Sequence, residues 1–156
     1  MEPYTLVVVD MQPDFEASNN PATIANVKRE IIEAKAKQMP ILFLEVPYFS
    51  PLDERGLRHT HQELTQLVKF YPNTTRYPIE KLRSDGSYQV LWACEQNHYT
   101  NSHFRICGVN TNICVYETAV GLSQNGVVEV IKNACNTTTP MYDFNDFKNK
   151  TNIFFA

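Results

Sequence analysis

The chain lacks a CxxC pair, a glycine-rich phosphate loop, a G-x-G-x-x-G fingerprint, any block of like charge and any apolar run of membrane-spanning length. Without CxxC, neither a thioredoxin-type dithiol nor a zinc ribbon has support. Without the glycine motifs, a nucleotide-phosphate cradle has none either. Fourteen basic side chains stand against 17 acidic ones, a net charge of −3, so nucleic acid is a poor partner. The opening MEPYTLVVVD carries an acid where a leader would be basic, and its apolar run is short. It reads as a strand, with no signal peptide and no membrane partner expected. Nothing marks the four cysteines, Cys94, Cys107, Cys114 and Cys135, as a secreted disulfide framework, so a reducing cytoplasm is the default location.

What is present is apolar material in a repeating order. With 156 residues, 43% of them hydrophobic, the chain suits one domain over residues 1–156 with a sizeable core. Tyr4 to Asp10 is a β-branched run ending in an acid, the pattern of a strand buried on both faces. Asn20-Pro21 then opens a helix along Ile24, Val27, Ile31 and Ala34, which stops at Gln38-Met39-Pro40. Ile41 to Val46 is a second strand, and Thr60-His61-Gln62-Glu63 has the form of a capping box before Leu64, Leu67 and Val68. Arg76 to Lys81 is a weaker strand, followed after Ser84-Asp85-Gly86 by a helix along Tyr88, Leu91, Trp92 and Glu95. His103 to Val109 gives a fourth strand. Val115, Ala119 and Leu122 mark a helix that closes at a left-handed Asn125-Gly126 pair. Val127 to Ile131 is a fifth strand, Thr139-Pro140 opens a last helix with Met141, Phe144 and Phe147, and Thr151 to Phe155 is a sixth strand or a tail. This alternation implies a three-layer αβα sandwich, Rossmann-like, around a mostly parallel sheet of five or six strands.

Ligands of such sheets bind beyond the carboxyl ends of the strands, which directs attention to Asp10, Lys81 and the loop from Gly108 to Cys114. Cys114 falls in the first turn of a helix, where the helix dipole favours a thiolate. Lys81 would add a cation beside it, and Asp10 a carboxylate able to take the thiol proton. Asp14 competes with Asp10 for any acidic role. Cys94, Cys107 and Cys135 read as small buried hydrophobes.

At these residues the chain resembles the isochorismatase-like cysteine hydrolases, the superfamily of nicotinamidases and carbamoyl-amidohydrolases. VVVDMQPDF around Asp10, the lysine of YPIEKLRSDG and ICGVNTNICVYETA around Cys114 carry the resemblance, in the right order and over nearly the whole chain. It implies that Cys114 attacks the substrate carbonyl, Asp10 accepts its proton, and Lys81 stabilises the thiolate and orients the acid. It also implies a cis peptide at Val109–Asn110, aiming the backbone N–H groups of Asn110 and Cys114 at an oxyanion. Phe15 matches a position lining the substrate pocket. The expected activity is a cysteine-dependent hydrolysis of a small amide or carbamoyl compound through a thioester. Alternatives are a vinyl-ether hydrolase and a non-catalytic binding protein that keeps the fold.

Zinc-dependent nicotinamidases carry an Asp-x-His pair and a further histidine between strand two and the lysine. The corresponding window here holds Asp53, His59 and His61 without that spacing, so neither a metal nor another cofactor is expected. The stretch between strand two and Lys81 is also short. It predicts a reduced pocket wall or one completed by a second subunit, and relatives commonly self-associate.

Overall fold

The computed structural model describes residues 2–49, 52–71 and 75–156. Six strands form one parallel sheet: β1 (Thr5–Val9), β2 (Ile41–Glu45), β3 (Thr75–Glu80), β4 (His103–Val109), β5 (Val127–Asn136) and β6 (Ile153–Phe155). Their spatial order is β3-β2-β1-β4-β5-β6. Every residue of β1 and β2 is buried, which is why both read as unbroken apolar runs rather than as alternation.

Helix α1 (Pro21–Ala36) covers one face. Asn20 caps it through Oδ1 accepting from the Thr23 N–H at 3.0 Å, and Val27, Ile31 and Ala34 pack with Leu6, Val8 and Phe43. On the other face lie α3 (Ser87–Asn97) and α4 (Tyr116–Ser123), whose Val90, Ala93, Ala119 and Leu122 meet Val7, Leu42 and Ile106. Side chains alternate between the two cores along each strand because successive Cβ atoms point to opposite faces.

The chain moves from β1 outward to β3, then returns to β4 on the far side of β1. β1 and β4 are therefore neighbours whose onward connections run in opposite directions. The crevice beyond their carboxyl ends is the topological switch point of the sheet.

Four local expectations are corrected. The Thr60 capping box does not form, because the Thr60 hydroxyl donates to Glu45 Oε2 at 2.7 Å. The chain instead makes a single turn, α2 (Gln62–Thr65), that runs into a 3₁₀ turn at Gln66–Val68. Asn125 and Gly126 do not adopt the left-handed conformation. Gly126 is needed for close approach instead, since a Cβ there would lie 2.4 Å from the Ser102 carbonyl oxygen.

The helix expected from Thr139-Pro140 is also absent. Met141 and Phe144 have φ of 55° and 62°, which no α-helix accommodates, and only a 3₁₀ turn at Asn145–Phe147 forms. Asp143 Oδ1 accepts from the Asn145 N–H at 3.0 Å, a local bond that competes with helix. Phe144 and Phe147 are placed by packing with Tyr116 and Phe155. Finally, β5 runs past Ile131 to Asn136, pairing Cys135 with Gly108 beyond a register shift.

Candidate active site

Asp10 is the first residue past β1, buried at 1% exposure, with φ of 50°. Aspartate tolerates this left-handed conformation better than most residues, because its short polar side chain can bond locally. The turn carries its carboxylate across the end of the sheet toward Lys81, which directly follows β3. Lys81 has a completely buried side chain, and its Nζ donates to Asp10 Oδ2 at 2.9 Å. The same ammonium donates to the carbonyls of Arg83 at 3.0 Å and Ser84 at 3.4 Å. A buried lysine needs such partners, and all three of its polar hydrogens are directed at oxygens.

The short segment after Lys81 is held by a side chain of α4, which packs on the same face of the sheet as α3. Thr118 of α4 accepts from the Gly86 N–H at 3.0 Å and donates to the Ser84 carbonyl at 3.3 Å. Gly86 itself leaves room for the lysine, since a Cβ there would lie 2.8 Å from Lys81 Cδ.

Cys114 sits beyond β4. The Val109–Asn110 peptide is cis, and residues Thr111–Val115 form a π-helical turn that passes into α4. Gly108 just before it has φ of 119°, and a Cβ would fall 2.1 Å from the Val9 carbonyl oxygen, so only glycine fits where β4 pairs with the end of β1. Cys114 and Lys81 both line a cavity of about 1190 Å³ that Phe15, Tyr48, Phe49 and Tyr88 also border. Asp10 lies close enough to Cys114 for each to shift the other's proton affinity, and Asp10 Oδ1 is buried with no hydrogen-bond partner.

The electrostatics correct one expectation. Burial first, and the Asp10 carboxylate second, push the Cys114 thiol up to about 12; Lys81 opposes them but is already paired with Asp10. The shift runs toward the thiol, against the thiolate that a helix start favours. Asp10 is itself raised, chiefly by burial, against the lowering effect of Lys81. Burial thus raises the proton affinity of both the thiol and the carboxyl.

Phe15, anticipated as a pocket residue, lines the cavity beside Cys114. Asp14 does not share the site with Asp10; its Oδ1 accepts from the Arg58 N–H at 2.8 Å. Cys107 is buried in β4 with its thiol toward the Val7 carbonyl at 3.8 Å, and Cys94 is buried as well.

Asp53, His59 and His61 do not converge. Asp53 pairs with Arg55, His59 Nδ1 lies 2.8 Å from Glu45 Oε1, and His61 Nε2 lies 3.2 Å from Ser18 Oγ. Among the described residues no group of three or more histidine, cysteine or acidic side chains could hold a metal ion.

Two supports escaped the sequence reading. Glu45 ends β2 at 3% exposure and accepts from the Thr60 N–H at 2.8 Å, besides the Thr60 hydroxyl and His59. Its signal was available: an acid closing an apolar buried run, as Asp10 does in β1. Gln12, also buried, donates from Nε2 to the Val46 and Arg58 carbonyls and accepts at Oε1 from the Val46 N–H, each at 2.9 Å. It ties the loop bearing Asp10 and Phe15 to the end of β2.

A parallel sheet with a cavity beyond the carboxyl ends of its strands is the architecture of an α/β enzyme. The profile of the Isochorismatase domain matches residues 4–155, and the chain belongs to this family of isochorismatase-like hydrolases. No curated protein matches it. Among solved structures it is similar to the nicotinamidase/pyrazinamidase of Bacillus subtilis, with 17% identity, a TM-score of 0.80, and coverage of 99% of this chain and 100% of that one. N-carbamoylsarcosine amidase from Thermoplasma acidophilum gives 16%, 0.75, 99% and 96% for the same quantities. The pyrazinamidase of Pyrococcus horikoshii, solved in complex with zinc, gives 22%, 0.71, 99% and 99%. At these identities the likeness establishes the fold. Among the described residues no helix is long and apolar enough to cross a membrane.

Proposed function

We propose that the protein is a cysteine hydrolase of small amide or carbamoyl compounds, working without a metal. The reading is carried by Cys114 and Lys81 lining one cavity, with the Lys81 Nζ 2.9 Å from the buried Asp10 carboxylate that also interacts with the Cys114 thiol. Asp10 takes the thiol proton as the sulfur attacks the carbonyl carbon, so the proton leaves as the S–C bond forms. Coupling the two steps suits a thiol whose own acidity is weak. The backbone N–H groups of Asn110 and Cys114 are the proposed donors to the oxyanion; such donors are worth about 3 kcal/mol each. Asp10 returns the proton to the leaving nitrogen as the C–N bond breaks, releasing ammonia and leaving a thioester. Water, deprotonated by Asp10, then attacks the thioester, and the sulfur regains its proton. Lys81 holds Asp10 in place throughout.

A metal-free route is supported by the donor set, since His59, His61 and Asp53 each serve a different local partner. Four free cysteines fit a reducing cytoplasm, and exposed Phe49, Leu82 and Tyr88 around the cavity mouth support self-association, which sedimentation would measure. A second reading, hydrolysis of a vinyl ether by protonated Asp10, draws on the raised proton affinity of that acid.

The test is a panel of small amides assayed for ammonia release, with intact mass spectrometry of the quenched enzyme. An acyl adduct on Cys114, and loss of turnover in Cys114→Ala, are expected. Undiminished turnover in that variant would overturn the cysteine mechanism.

A further inference from the structure

The cavity is charged more heavily than its reaction needs. Glu80, Asp85 and Glu117 border it against one guanidinium, that of Arg83, while Lys81 is neutralised by Asp10. Among the described residues none of these three carboxylates forms an ion pair; Asp85 uses Oδ1 to accept from the Ser87 N–H at 2.8 Å. They come from three different elements, the end of β3, the Lys81 loop and α4, so the negative field encloses the mouth instead of lying along one helix. Deeper in, the Glu45 carboxylate adds to it and helps raise the proton affinity of Asp10.

The remaining walls are aromatic. Tyr48 and Tyr88 are 38% and 75% exposed beside the acids, and Phe15 lies nearer Cys114. Phe49, at the same rim, already carries a cation, the Arg55 guanidinium 5.1 Å from its ring centroid. Ring faces next to carboxylates bind ammonium groups well, because the ring quadrupole and the anions act in the same direction.

We propose that the substrate is a small primary amide bearing an ammonium or quaternary ammonium group, with its amide at Cys114 and its cation among Glu80, Asp85 and Glu117 against Tyr48 or Tyr88. Resting on the reading of Cys114 as the nucleophile, this names the substrate class of that site. It also excludes carboxylate-bearing amides, whose charge the same field repels. Encounter is steered by the net negative rim, and the bound cation loses little to desolvation at so open a mouth.

The charge of the cavity can be measured without turnover. Methanethiosulfonates that are cationic (trimethylammonioethyl), anionic (sulfonatoethyl) and neutral (methyl) are reacted with the protein, their rates normalised to a free small thiol, and Cys114→Ala sets the background. The cationic reagent should modify Cys114 at least about tenfold faster than the anionic one. The ratio should shrink with added salt and fall about threefold in an E80Q/E117Q double variant. Both glutamates are exposed, and the neutral reagent reports whether the thiol stays accessible in that variant. A ratio at or below one, or one unmoved by the double variant, would overturn the inference while leaving the hydrolase standing. Failure to hydrolyse any amide would sink the hydrolase and leave the charge ratio to be read on its own.

Discussion

Replacing Lys81 by methionine removes the ammonium but keeps most of the side-chain volume. Three acceptors lose their donor: Asp10 Oδ2 at 2.9 Å and the carbonyls of Arg83 and Ser84. Asp10, at 1% exposure, is left as a buried charge without a counterion. Breaking such a pair from one side costs about 3–5 kcal/mol. For a chain of this size that lowers Tm by about 6–20 °C.

The cost depends on pH in a definite direction. Asp10 already has a raised proton affinity in the folded protein, and loss of Lys81, which opposes that rise, lifts it further. A carboxyl whose folded value lies above its unfolded one leaves the native state binding more protons in the interval between them, so stability falls as pH rises through it. Up to the wild-type folded value the Lys81→Met penalty is smallest, because Asp10 is protonated in both folded proteins; it grows between that value and the still higher one of the variant, and levels off above the latter. Urea unfolding of both proteins at about pH 4.5 and pH 8 measures the difference. Adding Asp10→Asn, a neutral side chain that also tolerates the left-handed backbone, should recover much of the loss at pH 8. Equal stability of wild type and Lys81→Met at pH 8, or a double variant no better than the single one, would refute the buried ion pair as the organising contact of the site.

Iodoacetamide labelling of Cys114 should rise about tenfold per pH unit between about pH 7 and 9, because a thiol pushed up to about 12 supplies thiolate in proportion to hydroxide; a plateau near pH 8.5 would contradict the thiol assignment. Asp10→Asn should lower kcat on an accepted amide by about 10²–10⁴-fold, the range for loss of a general base, while circular dichroism stays unchanged. Gly108→Ala should be destabilised by more than about 3 kcal/mol in denaturant unfolding, since its Cβ would overlap the Val9 carbonyl at a φ of 119°. Glu45→Ala should cost about 2–3 kcal/mol by leaving the Thr60 donors unpaired, read as a drop in Tm.

The elements that were legible in the sequence are those whose pattern and tertiary fate agree. β1 and β2 are apolar throughout because both faces are covered, and α1 carries a capping asparagine, a first-turn proline and a 3.6-residue apolar period that all point the same way. Asp10, Lys81 and Cys114 could be singled out because strand-end positions in a parallel sheet are few, whereas Phe15 was implied only by the family resemblance. The failures are places where a side chain serves a distant partner. Thr60 looked like a helix cap but bonds Glu45, and the apolar spacing of Met141, Phe144 and Phe147 belongs to a loop whose rings are gathered by Tyr116 and Phe155.

The alternation of strands and helices, the parallel sheet and the residue types at its carboxyl edge were all fixed by the chain before any folding, since they come from short-range periodicity and from which runs are apolar. The upward shift of the Cys114 thiol and the pairing that uses up the charge of Lys81 arise only on folding. Both depend on burial and on ångström-scale distances between residues 71 and more positions apart. The same is true of the acidic enclosure of the cavity: Glu80, Asp85 and Glu117 are ordinary solvated acids in the chain, and become a field only when three elements bring them around one opening.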